Sequence, residues 1–196
     1  VSTDPETYKD DVSSENEKYS TGVISGSANR GKITSDYNSG GIVGNISIEI
    51  SIDLENDLNL SGIFSKSAKH LIYAVVSDCE SYSDIEVKYN NAGGIVGNMD
   101  YGYVKSSKFA GSVLSDSGDY IGGIAGYSDG SISSCLSRVN LSGKNYIGGI
   151  AGRGNNVSSS CAVTYVDSVG ERAGSIVGSS SGDVTENYFL DSSALG

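Results

Sequence analysis

The sequence predicts an all-β chain wound as a right-handed parallel β-helix of about seven rungs, each of 26–28 residues, and three observations carry that prediction. A glycine-rich anchor recurs, as GGIVG at 40–44 and 93–97, GGIAG at 122–126 and 148–152, and GSIVG at 174–178. A column of small or polar residues returns every 26 or 28 positions, at Ser27, Asp53, Cys79, Ser107, Cys135, Cys161 and Asn187. The apolar segments between these landmarks are short and rich in β-branched side chains, which suits strands and not helices.

Residues 1–19, VSTDPETYKDDVSSENEKY, lack the pattern and read as a polar linker or N-terminal cap. From residue 20 to 196 the repeat governs. Three positions before the column stand Ile24, Ile50, Val76, Val104, Ile132, Ser158 (with Val157 beside it) and Val184. Six positions after it come Ile33, Ile85, Val113 and Leu141, with Leu60 and Val166 one residue out of step. A degenerate anchor, Ser61-Gly62-Ile63-Phe64-Ser65, fills the gap between the first two full ones. Three strands in each repeat describe one turn of a triangular coil, and stacked turns satisfy one another's backbone groups. The anchor aliphatics Ile42, Ile63, Ile95, Ile124, Ile150 and Ile176 then form one interior row. The anchor glycines are expected where the backbone must enter conformations closed to residues with a Cβ. The rung begun at Asn187 is cut short at Gly196, which predicts a domain taken from a longer protein.

Composition narrows the function classes. A net charge of −11 argues against nucleic acid, whose phosphates require clustered Lys and Arg. No run of about 18 apolar residues is present, so no membrane insertion is expected. With 27 glycines, no tryptophan, and 13 tyrosines against 3 phenylalanines, the chain suits a thin repetitive core.

The anchors, together with Ile132-Ser133-Ser134-Cys135 and Val184-Thr185-Glu186-Asn187, resemble the GLUG repeat over roughly residues 22–190. The resemblance implies a bacterial secreted or cell-surface protein, such as a haemagglutinin-like adhesin or an immunoglobulin A zinc metallopeptidase. The SGIF anchor and the closing ENYFLDSSALG resemble the repeat region of those peptidases, where it precedes the catalytic domain. The His-Glu-x-x-His motif of that domain is absent from this chain, so no catalytic residue carries over.

The residues offer little chemistry of their own. His70 is the single histidine, short of a zinc ligand set or a catalytic triad, and reads as a turn or surface residue. Cys135 and Cys161 are one rung apart and should stack; with Cys79 they read as small, buried, reduced packing residues, a Cys135–Cys161 disulfide being the alternative. Asp116, Asp119 and Asp129 show no EF-hand spacing and read as solvated surface. No catalytic residue, metal ligand or cofactor is expected. The sequons at Asn45, Asn59, Asn140 and Asn156 matter only in a glycosylating source.

Two positions before the anchors lie Asn38, Asn91, Tyr120, Tyr146 and Arg172. The neighbours Ser39, Ala92, Ile121, Ile147 and Ala173 should face inward by alternation, leaving Tyr120, Tyr146 and Arg172 as an exposed ladder on successive rungs. Tyrosine and arginine are favoured at interfaces, and the plainer alternative is a ladder that only stabilises the stack. The reading is therefore a non-catalytic structural or interaction module, extracellular or surface-attached. Its expected partner is a protein (host immunoglobulin or another domain of the same chain) or an extracellular glycan. A free-standing adhesin and a polysaccharide-cleaving β-helix enzyme are the alternatives.

Overall fold

A computed structural model describes residues 2–3, 19–48, 71–168, 170 and 172–191. Every regular element among them is a strand, and the strands pair in parallel as three stacked sheets. The molecule is a β-solenoid. Its narrow side is made of five two-residue strands, Ser39–Gly40, Ala92–Gly93, Ile121–Gly122, Ile147–Gly148 and Ala173–Gly174, paired in that order. Among the described residues five anchors thus stack, spanning about four turns. Two broad sides, of ten and eight strands, complete the triangle.

The rows expected from the spacing run down the interior. Ile24, Val76, Val104, Ile132, Val157 and Val184 stand in register. Val76, Val104, Ile132 and Val157 are buried, while Ile24 is half-buried in the first rung and Val184 is exposed in the last. Ile95, Ile124 and Ile150 are fully buried, and Ile42 and Ile176 close that row at either end. Each buried aliphatic of this size contributes roughly 1.5–3 kcal/mol. The anchor isoleucine also serves the backbone, because its carbonyl accepts two amides from the neighbouring rung. The Ile124 oxygen takes the N–H groups of Ile95 (3.0 Å) and Val96 (2.9 Å), and the Ile150 oxygen those of Ile124 (2.8 Å) and Ala125 (3.0 Å).

Three expectations need correction. The seventh rung, through Ile50 and Asp53, does not lie between its neighbours: Ile24 pairs directly with Val76, Ile33 with Ile85, and Gly40 with Gly93. Ile50, Asp53, Leu60, Ile63 and His70 themselves fall outside the described residues. Second, Cys161 is not in the cysteine column. Leu136 pairs with Cys161, so Ser160 is the residue that follows Cys135 in the stack. That rung is 25 residues long, one shorter than the spacing suggested. The ladder accommodates it between Ser128 and Ser131, where Asp129 and Gly130 face the single residue Asn155. The same step brings Val166 into register with Leu141, which removes its apparent misalignment.

The third correction concerns the anchor glycines. None has a positive φ; among the described glycines only Gly26, Gly102 and Gly111 do. What they lack is room. A Cβ on Gly122 would collide with the carbonyl oxygen of Ala125, and one on Gly94 with the ring of Phe109 across the core. The anchor is glycine because the chain there runs against itself and against the next rung.

Candidate functional site

The coil turns through left-handed backbone at two corners, the first in six successive rungs and the second in four. At the first corner the turning residues are Gly26, Asp78, Ser106, Ser134, Ser159 and Glu186, with φ between 49° and 63°. The column residue follows, and its side chain knits the rungs. Ser107 Oγ donates to the Lys105 carbonyl (2.9 Å) and accepts the Cys79 amide (3.2 Å); Ser160 Oγ donates to Ser158 (2.9 Å) and accepts the Cys135 amide (3.1 Å). Cys79 and Cys135 sit at equivalent places, each with Sγ 3.2–3.3 Å from the carbonyl two residues back. Both thiols are free and buried, and burial pushes Cys135 up to about 11. Cys161, displaced from the column, is only half-buried and also free.

The second corner carries the three residues expected as an exposed ladder, but Tyr120 and Tyr146 are half-buried because they cover one another's ring faces, and only Arg172 is exposed. Asn38, Asn91, Tyr120 and Tyr146 adopt φ of 48°, 64°, 62° and 56°. Their inward neighbours Ser39, Ala92, Ile121 and Ile147 are buried, while Ala173 in the last anchor is exposed. Asn91 Nδ2 donates to Asn38 Oδ1 (2.8 Å). The rings of Tyr120 and Tyr146 stack with centroids 4.7 Å apart and planes 15° from parallel, and the Arg172 guanidinium lies over Tyr146 at 5.1 Å. Tyr120, Tyr146 and Arg172 thus form one continuous stack on three successive rungs.

A second column stands beside it that the sequence reading missed. Asn45, Asn98, Tyr127 and Arg153 are in register just after the anchors. Tyr127 meets Tyr120 edge to face at 5.5 Å, and Arg153 lies over Tyr127 at 5.0 Å. The Tyr127 hydroxyl donates to Asp129 (3.0 Å); burial and then this bond hold the phenol above its usual range, so it stays a neutral donor. Asp129 also accepts from Asn155 (2.9 Å) and faces Arg153 at 3.9 Å. The signal was present: the residues flanking the anchors run Asn–Asn, Asn–Asn, Tyr–Tyr and Tyr–Arg on successive full anchors. No family model, curated protein or solved structure matches the chain.

The remaining candidates are dispersed. Asp119 is occupied by Asn145, accepting both its backbone and side-chain N–H groups at 3.1 Å, while Asp129 belongs to the second column. Among the described residues no three His, Cys, Asp or Glu side chains converge as a metal site would require. Asn140 and Asn156 lie exposed on strands, and Asn45 is bonded into its Asn98 ladder (2.8 Å).

Proposed function

We propose that this solenoid is a non-catalytic interaction module of an extracellular or surface-attached bacterial protein, with the right-handed winding usual for parallel crossovers. By the GLUG resemblance, the parent is an immunoglobulin A-cleaving metallopeptidase in which this part engages the immunoglobulin. One observation carries the reading: Tyr120, Tyr146 and Arg172, with Tyr127 and Arg153 alongside, gather aromatic and cationic groups on one corner of an acidic chain. Interfaces draw their strongest contacts from tyrosine and arginine held rigidly in this way. Stacking fixes the rings in advance, so little side-chain entropy is lost on contact.

The geometry favours a protein over a glycan. A sugar stacked on tyrosine needs an open ring face, and Tyr146 has Tyr120 on one side and Arg172 on the other. At Tyr146 the corner therefore offers a ring edge and a hydroxyl, with the Arg172 guanidinium beside them. Surface plasmon resonance of the chain against immunoglobulin A tests this. Wild type should bind, and the Tyr120→Ala/Tyr146→Ala/Arg172→Ala variant should bind at least about tenfold more weakly, a loss of about 1.4 kcal/mol or more. Equal binding by the two proteins would remove the ladder from the interface, and no binding by either would remove the immunoglobulin.

A further inference from the structure

Among the described residues four cations lie over tyrosine rings, and at three of them the chain supplies a carboxylate itself. Arg30 covers Tyr82 at 5.6 Å, and the hydroxyl of that ring donates to Glu80 (3.2 Å). Lys88 covers Tyr89 at 4.9 Å and lines one shallow groove with Asp36, Glu86 and Asp116. Arg153 covers Tyr127 at 5.0 Å, and Asp129 both accepts from that ring's hydroxyl (3.0 Å) and faces the guanidinium at 3.9 Å. Arg172, over Tyr146 at 5.1 Å, departs from the rule. It is exposed, and no carboxylate among the described residues pairs with it.

Stacking on Tyr146 fixes the guanidinium plane and leaves its N–H edges free. That is the geometry that receives a carboxylate through two parallel hydrogen bonds. The flank of this last stack is also less crowded. Tyr127 closes edge-on against Tyr120 (5.5 Å), but the residue that continues its column past Arg153 is Ser179, small and half-buried. The bulk that flanks Tyr120 is therefore absent from the rung of Arg172.

We propose that the partner completes this fourth stack: the segment that docks on the corner carries a carboxylate side chain, received by Arg172. The inference rests on the corner being a contact surface, as proposed above, and adds the chemistry of what it contacts. Charge narrows that chemistry further. A chain of net charge −11 repels a polyanion, so the site admits a single acid within an otherwise uncharged or basic segment. Tyr146 has no open face for a sugar ring, which places the carboxylate on a protein side chain.

Nuclear magnetic resonance of the Arg172 Nε–H group in the full chain tests the proposal with two peptides, acetyl-Phe-Asp-Phe-amide and acetyl-Phe-Asn-Phe-amide. The aspartyl peptide should move that resonance and bind at least about tenfold more tightly than the asparaginyl one. Arg172→Gln should bring the two together. Arg172→Lys, which keeps the charge but not the planar fork, should recover only part of the difference. Equal binding of the two peptides by wild type, or a preference that survives Arg172→Gln, overturns the proposal. N-acetylneuraminic acid binding as tightly as the aspartyl peptide would assign the seat to a sugar acid and overturn it too. Immunoglobulin A gives a separate readout. Arg172→Glu should lose at least about tenfold more affinity than Arg172→Gln, because an acid in the partner is then repelled. Equal losses in the two variants would overturn the proposal and leave the contact reading standing. Failure of immunoglobulin A to bind, with the peptide preference intact, would remove the immunoglobulin and leave the seat.

Discussion

The two left-handed corners of the coil hold the same backbone conformation by different means. At the first, the turning residues are small or polar, and the residue that follows binds two rungs together through a buried hydroxyl or thiol or, at Asn187, a half-buried amide. At the second, the first two rungs use Asn38 and Asn91, residues that tolerate this region, whereas the next two use Tyr120 and Tyr146. A left-handed residue with a bulky side chain costs roughly 1–2 kcal/mol. The fold has a cheaper solution on the same corner of the same molecule, so the tyrosines answer a demand other than turning the chain. On the function proposed above, the first corner serves folding and the second serves contact.

Substitutions can break or sharpen this contrast. The largest effect belongs to the row that supports both corners: Ile124→Ala should cost about 2–4 kcal/mol through an unfilled cavity, read by denaturant unfolding. A cost below about 1 kcal/mol would mean that the interior register is wrong.

A smaller effect separates the first corner from the second. The thiol of Cys135 titrates near 11 in the folded chain against 9.0 without burial, so the folded state holds that proton more tightly. The stabilisation is complete below about pH 9 and is lost as pH rises towards about 11, on the order of 3 kcal/mol at most. Cys135→Ser should flatten that part of the pH profile, since serine already fills the column at Ser107 and Ser160. An unchanged slope would place the thiol in contact with solvent.

Much of this was legible in the sequence, and the failures have physical causes. The anchors and the row through Val76, Val104 and Ile132 could be read because a stacked coil repeats its interior side chains at a fixed spacing. Cys161 was misplaced because a solenoid tolerates one residue more or less at a bulge, and a cysteine at the right distance masked the step to Ser160. The row through Ile50 and Asp53 was expected for a related reason: spacing reports what could stack, whereas pairing of the first rung with Val76 is a matter of contact. The glycine argument put conformation where packing decides, because a sequence shows where a Cβ is missing and not what would strike it. Tyr127 and Arg153 went unread because an outward column changes residue type from rung to rung, so its regularity shows only when both flanks of each anchor are compared.

The most direct test of the contrast is to give the contact corner the residue of its own earlier rungs. Denaturant unfolding of Tyr120→Asn/Tyr146→Asn reports what the tyrosines contribute to folding. Relief of left-handed strain, roughly 1–2 kcal/mol for each residue, offsets two lost ring contacts, Tyr120 with Tyr146 and with Tyr127, of about 0.5–1.5 kcal/mol each, and the lost guanidinium contact of about 0.5–1 kcal/mol. The stability of the double variant should therefore stay within about 1 kcal/mol of wild type or rise above it. A loss of more than about 2 kcal/mol would make the stack a structural brace and contradict the assignment of this corner to contact.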